Sequence, residues 1–467
     1  MYFQVDYGRN AMISRNIFRQ YDIRGLVPEE LDDDTVRRIA QAFATMAAEK
    51  GLNKVVLGRD NRKSSPHLRE VAVEALTDSG CQVIDLGVVV SPMFYFAARH
   101  LEIPAGLMIT ASHNPGEYNG FKVLIGENTI YGDEIQRLYR LAQDGVFTPQ
   151  SPKGKVTNLD ITEDYINNIK QRISLGPRRL KLVVDCGNGT ASFFAPRLFR
   201  ELGCEVVELY CESDPDFPNH HPDPVKVENC QDLIRAVKSE KADLGIGLDG
   251  DGDRLGVVAE DGRIIWGDLL MILYWREILP RHPGVDCIVE VKCSQALIDE
   301  IERLGGRPLL YKTGHSLIKA KMKEIGAIFT GEMSGHMFFA DEYYGYDDAL
   351  YAAARLLRIL SNTDRSMSQL LADVPQYWTT PEIRVKSSDT EKFLVVEKVG
   401  ERFRKEYEVI DVDGARIIFP DGWGLVRASN TGPELIVRYE SRTEEGLKRI
   451  GDELCSFLSS LGLEIKV

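Results

Sequence analysis

Short apolar runs alternate with amphipathic stretches along most of the chain. KVVLG (54–58), QVIDLG (82–87) and GLMIT (106–110) read as strands, with a helix from Pro66 to about Ser79 and another after Pro92 between them. Such alternation predicts a mainly parallel sheet covered by helices. FTPQSPKGKVT (147–157) is polar, holds two prolines, and reads as a linker. The rhythm restarts at LKLVVDCGNGTAS (180–192) and again at DCIVEVKCSQAL (286–297), each an apolar strand, a loop of small or polar residues and a helix start, the plan also of VVLGRDNRKSSPHL (55–68). The expectation is three related α/β domains with mainly parallel mixed sheets, over 1–155, 156–258 and 259–374. After about residue 375 the pattern changes to short strands around Asp413-Gly414 and Asp421-Gly422, the run LIVRYE and flanking helices, which predicts a smaller C-terminal α+β domain over 375–467.

The remaining bulk properties narrow the classes. A chain of 467 residues exceeds what one core serves, and division by about 150 gives roughly three domains, one fewer than the pattern predicts. The formal charge of −14 argues against nucleic-acid or anionic-membrane partners, while anionic small molecules remain allowed in local basic pockets. Eight scattered cysteines without a CxxC pair point to free thiols in a reducing compartment. The opening MYFQVDYGRNAM lacks the basic start and apolar core of a signal peptide, and no run approaches membrane-span length, so a cytoplasmic location is expected.

Strand ends are where ligands bind in such folds, so their loops carry the candidate chemistry. In GLMITASHNPGEYNG (106–120) a buried strand ends on Ser112 beside His113. Either Ser112 and Asn114 are turn residues fixed by Pro115, the plainer reading of the segment alone, or Ser112 is a nucleophile. LGIGLDGDGDRLGVVAEDGRIIWGD (244–268) places Asp249, Asp251 and Asp253 among glycines, and three carboxylates so close repel one another unless a hard cation such as Mg²⁺ or Ca²⁺ joins them. An EF-hand count from Asp249 reaches Glu260 at position 12, but Arg254 stands where the turn needs glycine and the flanks read as strands, so an EF-hand is rejected. Arg427, Ser429, Asn430 and Thr431 in RASNTGPELIVRYE (427–440) form either an oxyanion cradle or an ordinary polar loop. TGEMSGHMFF (330–339) offers Glu332, Ser334 and His336 at alternate positions, suited to sugar hydroxyls or to a polar turn before a strand. KTGHSLIK (312–319) adds His315 at a helix start, where capping by Ser316 is the plainer role.

Taken in order, FRQYDIRG (18–25), TASHNP (110–115), NGFK (119–122), NHHPDP (219–224), DGDGDR (249–254), KTGHS (312–316), GEMSGH (331–336) and RASNTGPE (427–434) resemble the motifs of the α-D-phosphohexomutase superfamily, most closely its phosphomannomutase/phosphoglucomutase branch. The resemblance spans nearly the whole chain and reverses the weighing of Ser112. It implies four domains around a central cleft, a phosphoserine at Ser112, and Mg²⁺ held by Asp249, Asp251, Asp253 and the Ser112 phosphate. It implies a phosphate clamp at Arg427, Ser429, Asn430 and Thr431, sugar contacts from Glu332 and Ser334, and further substrate contacts from Tyr21 and Lys292. Lys122 and Arg254 would offset charge in the transfer, with acid and base roles unranked among His315, Lys122, His336 and Arg24, and His113 only shaping its loop. The implied reaction passes a phosphoryl group from Ser112 to a hexose 1-phosphate, gives a bound 1,6-bisphosphate that reorients, and releases hexose 6-phosphate, with glucose or mannose 1,6-bisphosphate as activator. Met333 favours the mannose and glucose branch over the phosphoglucosamine branch, the alternative within the superfamily; a non-enzymatic sugar-phosphate or metal-binding protein is the alternative outside enzymes.

Overall fold

The computed structural model describes residues 12–147, 149–429, 432–463 and 465. The opening segment read for a signal peptide therefore lies, but for Met12, outside the described residues, as do Asn430 and Thr431 of the expected phosphate clamp.

The chain divides into two compact units at Ile161/Thr162. In the first, a six-stranded sheet runs in the order Ile23–Leu26, Tyr118–Ile125, Ala105–Ile109, Lys54–Arg59, Gln82–Val88, Val156–Asn158. Strands Ala105–Ile109, Lys54–Arg59, Gln82–Val88 and Val156–Asn158 are parallel, and Tyr118–Ile125 pairs antiparallel with both of its neighbours, Ala105–Ile109 and Ile23–Leu26. Val83 pairs with Val156, so the stretch read as a linker ends in an edge strand of this sheet. Helices Asp33–Glu49, Ser65–Asp78, Ser91–His100 and Asp133–Asp144 flank the sheet. Ala105–Ile109 is buried along its whole length, as a strand covered on both faces must be, which is why GLMIT reads as a continuous apolar run rather than an alternating one.

The second unit begins with a five-stranded mixed sheet in the order Ile264–Ile265, Leu255–Ala259, Leu244–Leu248, Lys181–Asp185, Glu205–Leu209. Next come the parallel pair Asp286–Glu290 with Arg307–Tyr311 and the antiparallel pair Phe329–Gly331 with Met337–Phe339. Thr330 Oγ1 donates to Ile288 O at 2.7 Å, stitching the two pairs together. The remainder forms an antiparallel sheet around Glu434–Ser441, against which helices Glu391–Phe403 and Glu444–Ser460 pack over a core that includes Val399, Phe403, Ile417, Val437 and Leu454. Short strands lie around both dipeptides as expected: Asp413-Gly414 forms the turn between Glu408–Ile410 and Ala415–Phe419, where Gly414 at φ 90° supplies the turn conformation, and Asp421-Gly422 leads from the next turn into Gly422–Ala428. The architecture is three α/β domains followed by a C-terminal domain on an antiparallel sheet.

Candidate active site

In the first unit the strand Ala105–Ile109 runs out into Ser112, whose φ of 52° is the left-handed region that a non-glycine residue occupies at a cost of about 1–2 kcal/mol. A conformation of that cost persists only where its surroundings over-determine it. Here they do: the wholly buried guanidinium of Arg62 donates to Ser112 O at 2.8 Å, Asn114 O and Pro115 O at 2.6 Å each and Tyr118 O at 3.1 Å, and is itself paired with Asp60 at 3.1 Å. The Ser112 amide donates to Thr110 Oγ1 at 2.9 Å, and Ser112 Oγ shares a 3.0 Å hydrogen bond with His113 Nδ1. His113 thus touches the hydroxyl as well as shaping the loop. Arg24 Nη1 donates to Asn114 Oδ1 at 2.6 Å while its Nε donates to Asp22 at 2.7 Å. Lys122, buried and opposite Met108 in the antiparallel register, donates to Ser91 Oγ at 2.9 Å. Tyr21 is half-buried in the bend that leads to Arg24.

In the second unit Leu244–Leu248 and Leu255–Ala259 form a hairpin with Leu248 opposite Leu255, so strands flank the acidic loop as the rejection of an EF-hand requires. Asp249, Asp251 and Asp253 are at most 1% exposed, and each offers an oxygen within 4.8 Å of the others. Gly252 at φ 73° lets the backbone fold that tightly. Oxygen-only donors at this spacing, withdrawn from water, match a small hard cation, so the residues present fit Mg²⁺.

The GEMSGH loop is tied to the hairpin. Leu255 N donates to Gly335 O at 3.0 Å, and a Cβ on Gly335 would stand 2.4 Å from Leu255 O, so only glycine permits this approach. The tie brings His336 to Arg254, whose Nε donates to His336 Nε2 at 3.0 Å. His315 and His336 rings stack at 5.6 Å. Glu332 is buried and accepts from Gly314 N at 2.7 Å; burial, reinforced by the nearby Glu290 charge, pushes its carboxyl up to about 7 against the pull of Lys292, the Gly314 N–H and Arg254. Ser334 lies half-buried in the same turn. Burial alone would lower the Lys292 ammonium, but Glu290 at 3.8 Å and Glu382 at 2.5 Å outweigh it and hold the group above its ordinary value.

Arg427 is buried at the end of the strand Gly422–Ala428 and donates from Nε to Asp413 Oδ2 at 3.0 Å; the same oxygen accepts from Thr313 N at 3.0 Å. Ser429 is buried, and the loop around it is braced by Lys392, which donates to Ser429 O at 2.9 Å and Gly432 O at 3.0 Å. Arg62, Lys392, Asp413 and Glu290 all bear on these loops, and none was among the candidate site residues read from sequence. Arg62 and Lys392 stand inside ordinary charged stretches, and the carboxylates are brought in only by packing.

Models of one family cover nearly all of this architecture: phosphoglucomutase/phosphomannomutase alpha/beta/alpha domain I matches residues 15–147, domain II 163–262, domain III 266–377, and the C-terminal domain 382–456. The chain is 46% identical to a phosphomannomutase/phosphoglucomutase of Pseudomonas aeruginosa over 436 residues, 93% of this chain and 94% of that one. It is 45% identical to a phosphoglucomutase of Neisseria gonorrhoeae over 453 residues, 96% and 98% of the two chains. A crystal structure of a phosphoglucomutase/phosphomannomutase family protein from Burkholderia thailandensis superposes with a TM-score of 0.92 at 42% identity, covering 98% of this chain and all of that one. The chain is an enzyme of the phosphoglucomutase/phosphomannomutase family.

Proposed function

We propose that the protein interconverts the 1- and 6-phosphates of mannose and glucose by way of a phosphorylated Ser112. The observation that carries this reading is Ser112 itself: a hydroxyl held at φ 52° by the buried Arg62, in a chain 46% identical over 93% of its length to a phosphomannomutase/phosphoglucomutase.

An unmodified serine is a weak nucleophile, whereas a phosphoserine is a phosphoryl donor. Ser112 gives its phosphoryl group to the free 6-hydroxyl of hexose 1-phosphate, the 1,6-bisphosphate reorients, and the 1-phosphoryl group returns to Ser112 as hexose 6-phosphate leaves. Asp249, Asp251 and Asp253 would hold Mg²⁺, which when bound would supply positive charge to offset that on the phosphoryl oxygens in transfer. Lys122 and Arg254 add fixed positive charge for the same oxygens. His315, His336, Lys122 and Arg24 are the groups available to take or give the hydroxyl proton. Tyr21, Lys292, Glu332 and Ser334 hold the sugar, and Arg427, Ser429, Asn430 and Thr431 clamp whichever phosphate is not reacting.

Glucose or mannose 1,6-bisphosphate re-primes any dephosphorylated Ser112. No helix among the described residues is long and apolar enough to cross a membrane.

The test is ³¹P NMR with Mg²⁺, a trace of glucose 1,6-bisphosphate, and glucose, mannose or glucosamine 1-phosphate offered separately, beside Ser112→Ala. Conversion of the glucose and mannose substrates, lost in the variant, is the expected result. Preferential conversion of glucosamine 1-phosphate would move the protein to the phosphoglucosamine branch, and conversion of none by folded, metal-loaded protein would refute the reading.

A further inference from the structure

We propose that Asp347 is a positioning residue that fixes the tautomer and ring orientation of His336 and His315, so that His336 presents Nε2 to the substrate. The effect on turnover rests on the mutase reading above; the geometry of the imidazoles does not.

Asp347 is completely buried and rigidly placed. Its backbone bridges Phe338, two residues past His336, and the adjoining Asp348 caps the helix Ala349–Ser361 by accepting from Tyr351 N at 2.8 Å. Asp348 also accepts from the hydroxyls of Tyr165 at 2.9 Å and Tyr343 at 2.8 Å, and Ala349 N donates to Gly252 O of the acidic loop at 3.3 Å. The residue therefore stands at a junction of the acidic loop, the GEMSGH strand and a capped helix, with little freedom to shift.

Its two oxygens do different things. Oδ1 accepts from Lys319 Nζ at 2.9 Å, an ammonium that is itself buried. Oδ2 lies 3.5 Å from His315 Nδ1 and 3.5 Å from His336 Nδ1, facing both imidazoles through the same ring atom. A lysine alone would make a buried carboxylate tolerable. The second oxygen faces two groups that are candidates for moving a proton.

Arg254 settles which nitrogen of His336 carries the hydrogen. A guanidinium only donates, and its Nε lies 3.0 Å from His336 Nε2, so Nε2 holds the lone pair and Nδ1 the proton. That proton faces Asp347 Oδ2 at 3.5 Å and Asp253 Oδ1 at 3.6 Å. Arg254 also lies 3.9 Å from Asp223. Once a substrate phosphate draws the guanidinium away, Nε2 is left with an available lone pair, the arrangement a base for a sugar hydroxyl needs. A carboxylate behind a catalytic imidazole acts by orientation and tautomer rather than by taking the proton, and losing such a partner costs between about 10-fold and 10⁴-fold in turnover in other enzymes.

The experiment uses the full-length protein as wild type, Asp347→Asn, Lys319→Gln, and Asp347→Asn combined with His336→Ala. Long-range ¹H–¹⁵N spectra of the imidazoles, thermal melts, and kcat and KM with glucose 1-phosphate are recorded on each. The wild-type spectrum is expected to place the His336 proton on Nδ1 both alone and with inorganic phosphate drawing Arg254 from Nε2, and Asp347→Asn to give mixed tautomers when phosphate is present, in a protein that still melts cooperatively. Turnover of Asp347→Asn should fall about 100-fold with KM within about threefold, and the same change in the His336→Ala background should cost less than about fivefold. Lys319→Gln, which frees the carboxylate to swing, should show the same pattern more weakly. A wild-type proton on His336 Nε2, unchanged kcat in folded Asp347→Asn, or a full additive loss on top of His336→Ala would overturn the proposal. If Asp347→Asn does not fold, the wild-type spectrum and Lys319→Gln decide. Absence of any wild-type turnover would refute the mutase reading instead, leaving the spectra to judge Asp347.

Discussion

Glu332→Gln should make the protein more stable above neutral pH and poorer at its task. The Glu332 carboxyl is 3% exposed, and burial followed by the Glu290 charge moves it from 4.5 to about 7. Below pH 4.5 the group is neutral in folded and unfolded chains alike, and its contribution to stability is fully present. As pH rises, the unfolded chain ionises first while the folded chain stays protonated, so stability is lost until the folded carboxyl has also ionised, above about 7. At about 1.4 kcal/mol per pH unit, the interval corresponds to on the order of 3 kcal/mol. Glutamine cannot ionise, and its Oε1 can still accept from Gly314 N, the 2.7 Å bond that Glu332 makes. The difference between variant and wild type should therefore be small at pH 5 and grow to about 3 kcal/mol by pH 8.5, roughly 5–10 °C in the melting temperature of a domain of this size. Melting curves of metal-free protein across that range measure it directly, and groups common to both proteins, such as Asp348, pushed up to about 6 by burial, cancel in the comparison. Curves that run parallel at every pH would refute the reasoning. The compensating loss should appear in kcat/KM above about pH 7, where the folded wild-type carboxyl is ionised and the variant lacks the charged acceptor proposed to hold sugar hydroxyls.

The remaining expectations test other parts of the molecule. Ser112→Gly removes the φ 52° penalty and should leave the melting temperature unchanged or higher while abolishing turnover and the phosphoserine signal in mass spectrometry; residual activity at the wild-type level would exclude Ser112 as the carrier. Asp251→Asn should weaken Mg²⁺ binding at least about tenfold in a calorimetric titration, about 1.4 kcal/mol or more, and chelation should stop turnover reversibly. Arg355→Met would strand the buried side chain of Asp341, which the fully buried guanidinium holds at 3.0 Å, while Glu277 keeps Arg358 at 2.9 Å, and should cost about 3–5 kcal/mol in chemical denaturation; a loss under about 1 kcal/mol would mean Asp341 finds another partner.

The strand-and-helix alternation was legible because each buried strand leaves a continuous apolar signature: Ala105–Ile109 and Leu244–Leu248 are buried at every position. The same signature fails at edges. Val156–Asn158 is exposed throughout, so its pairing with Gln82–Val88 leaves no apolar run or alternation beyond the single Val156, and the segment reads as a linker. Loops with chemistry in their own residues were equally legible: a triad of aspartates, a hydroxyl at a strand end and an arginine beside serine and threonine each sit within a few positions.

What holds those loops is not local. Arg62 reaches Ser112 O across 50 residues, and Lys319 reaches Asp347 across 28. Neither pairing leaves a periodicity or a spacing, because a buried charge is placed by the packing of elements that only the fold brings together. Arg62 shows the consequence most plainly. In sequence it is one more cation in DNRKSSP, a reasonable helix-start segment; in the fold it is wholly buried and takes up the carbonyl of the strained serine and those of Asn114 and Pro115 that follow it. Its removal would release the loop while leaving every residue of the recognisable motif in place. A motif match therefore identifies which atoms could do the chemistry, while the long-range buried charges determine whether those atoms are held where the chemistry needs them.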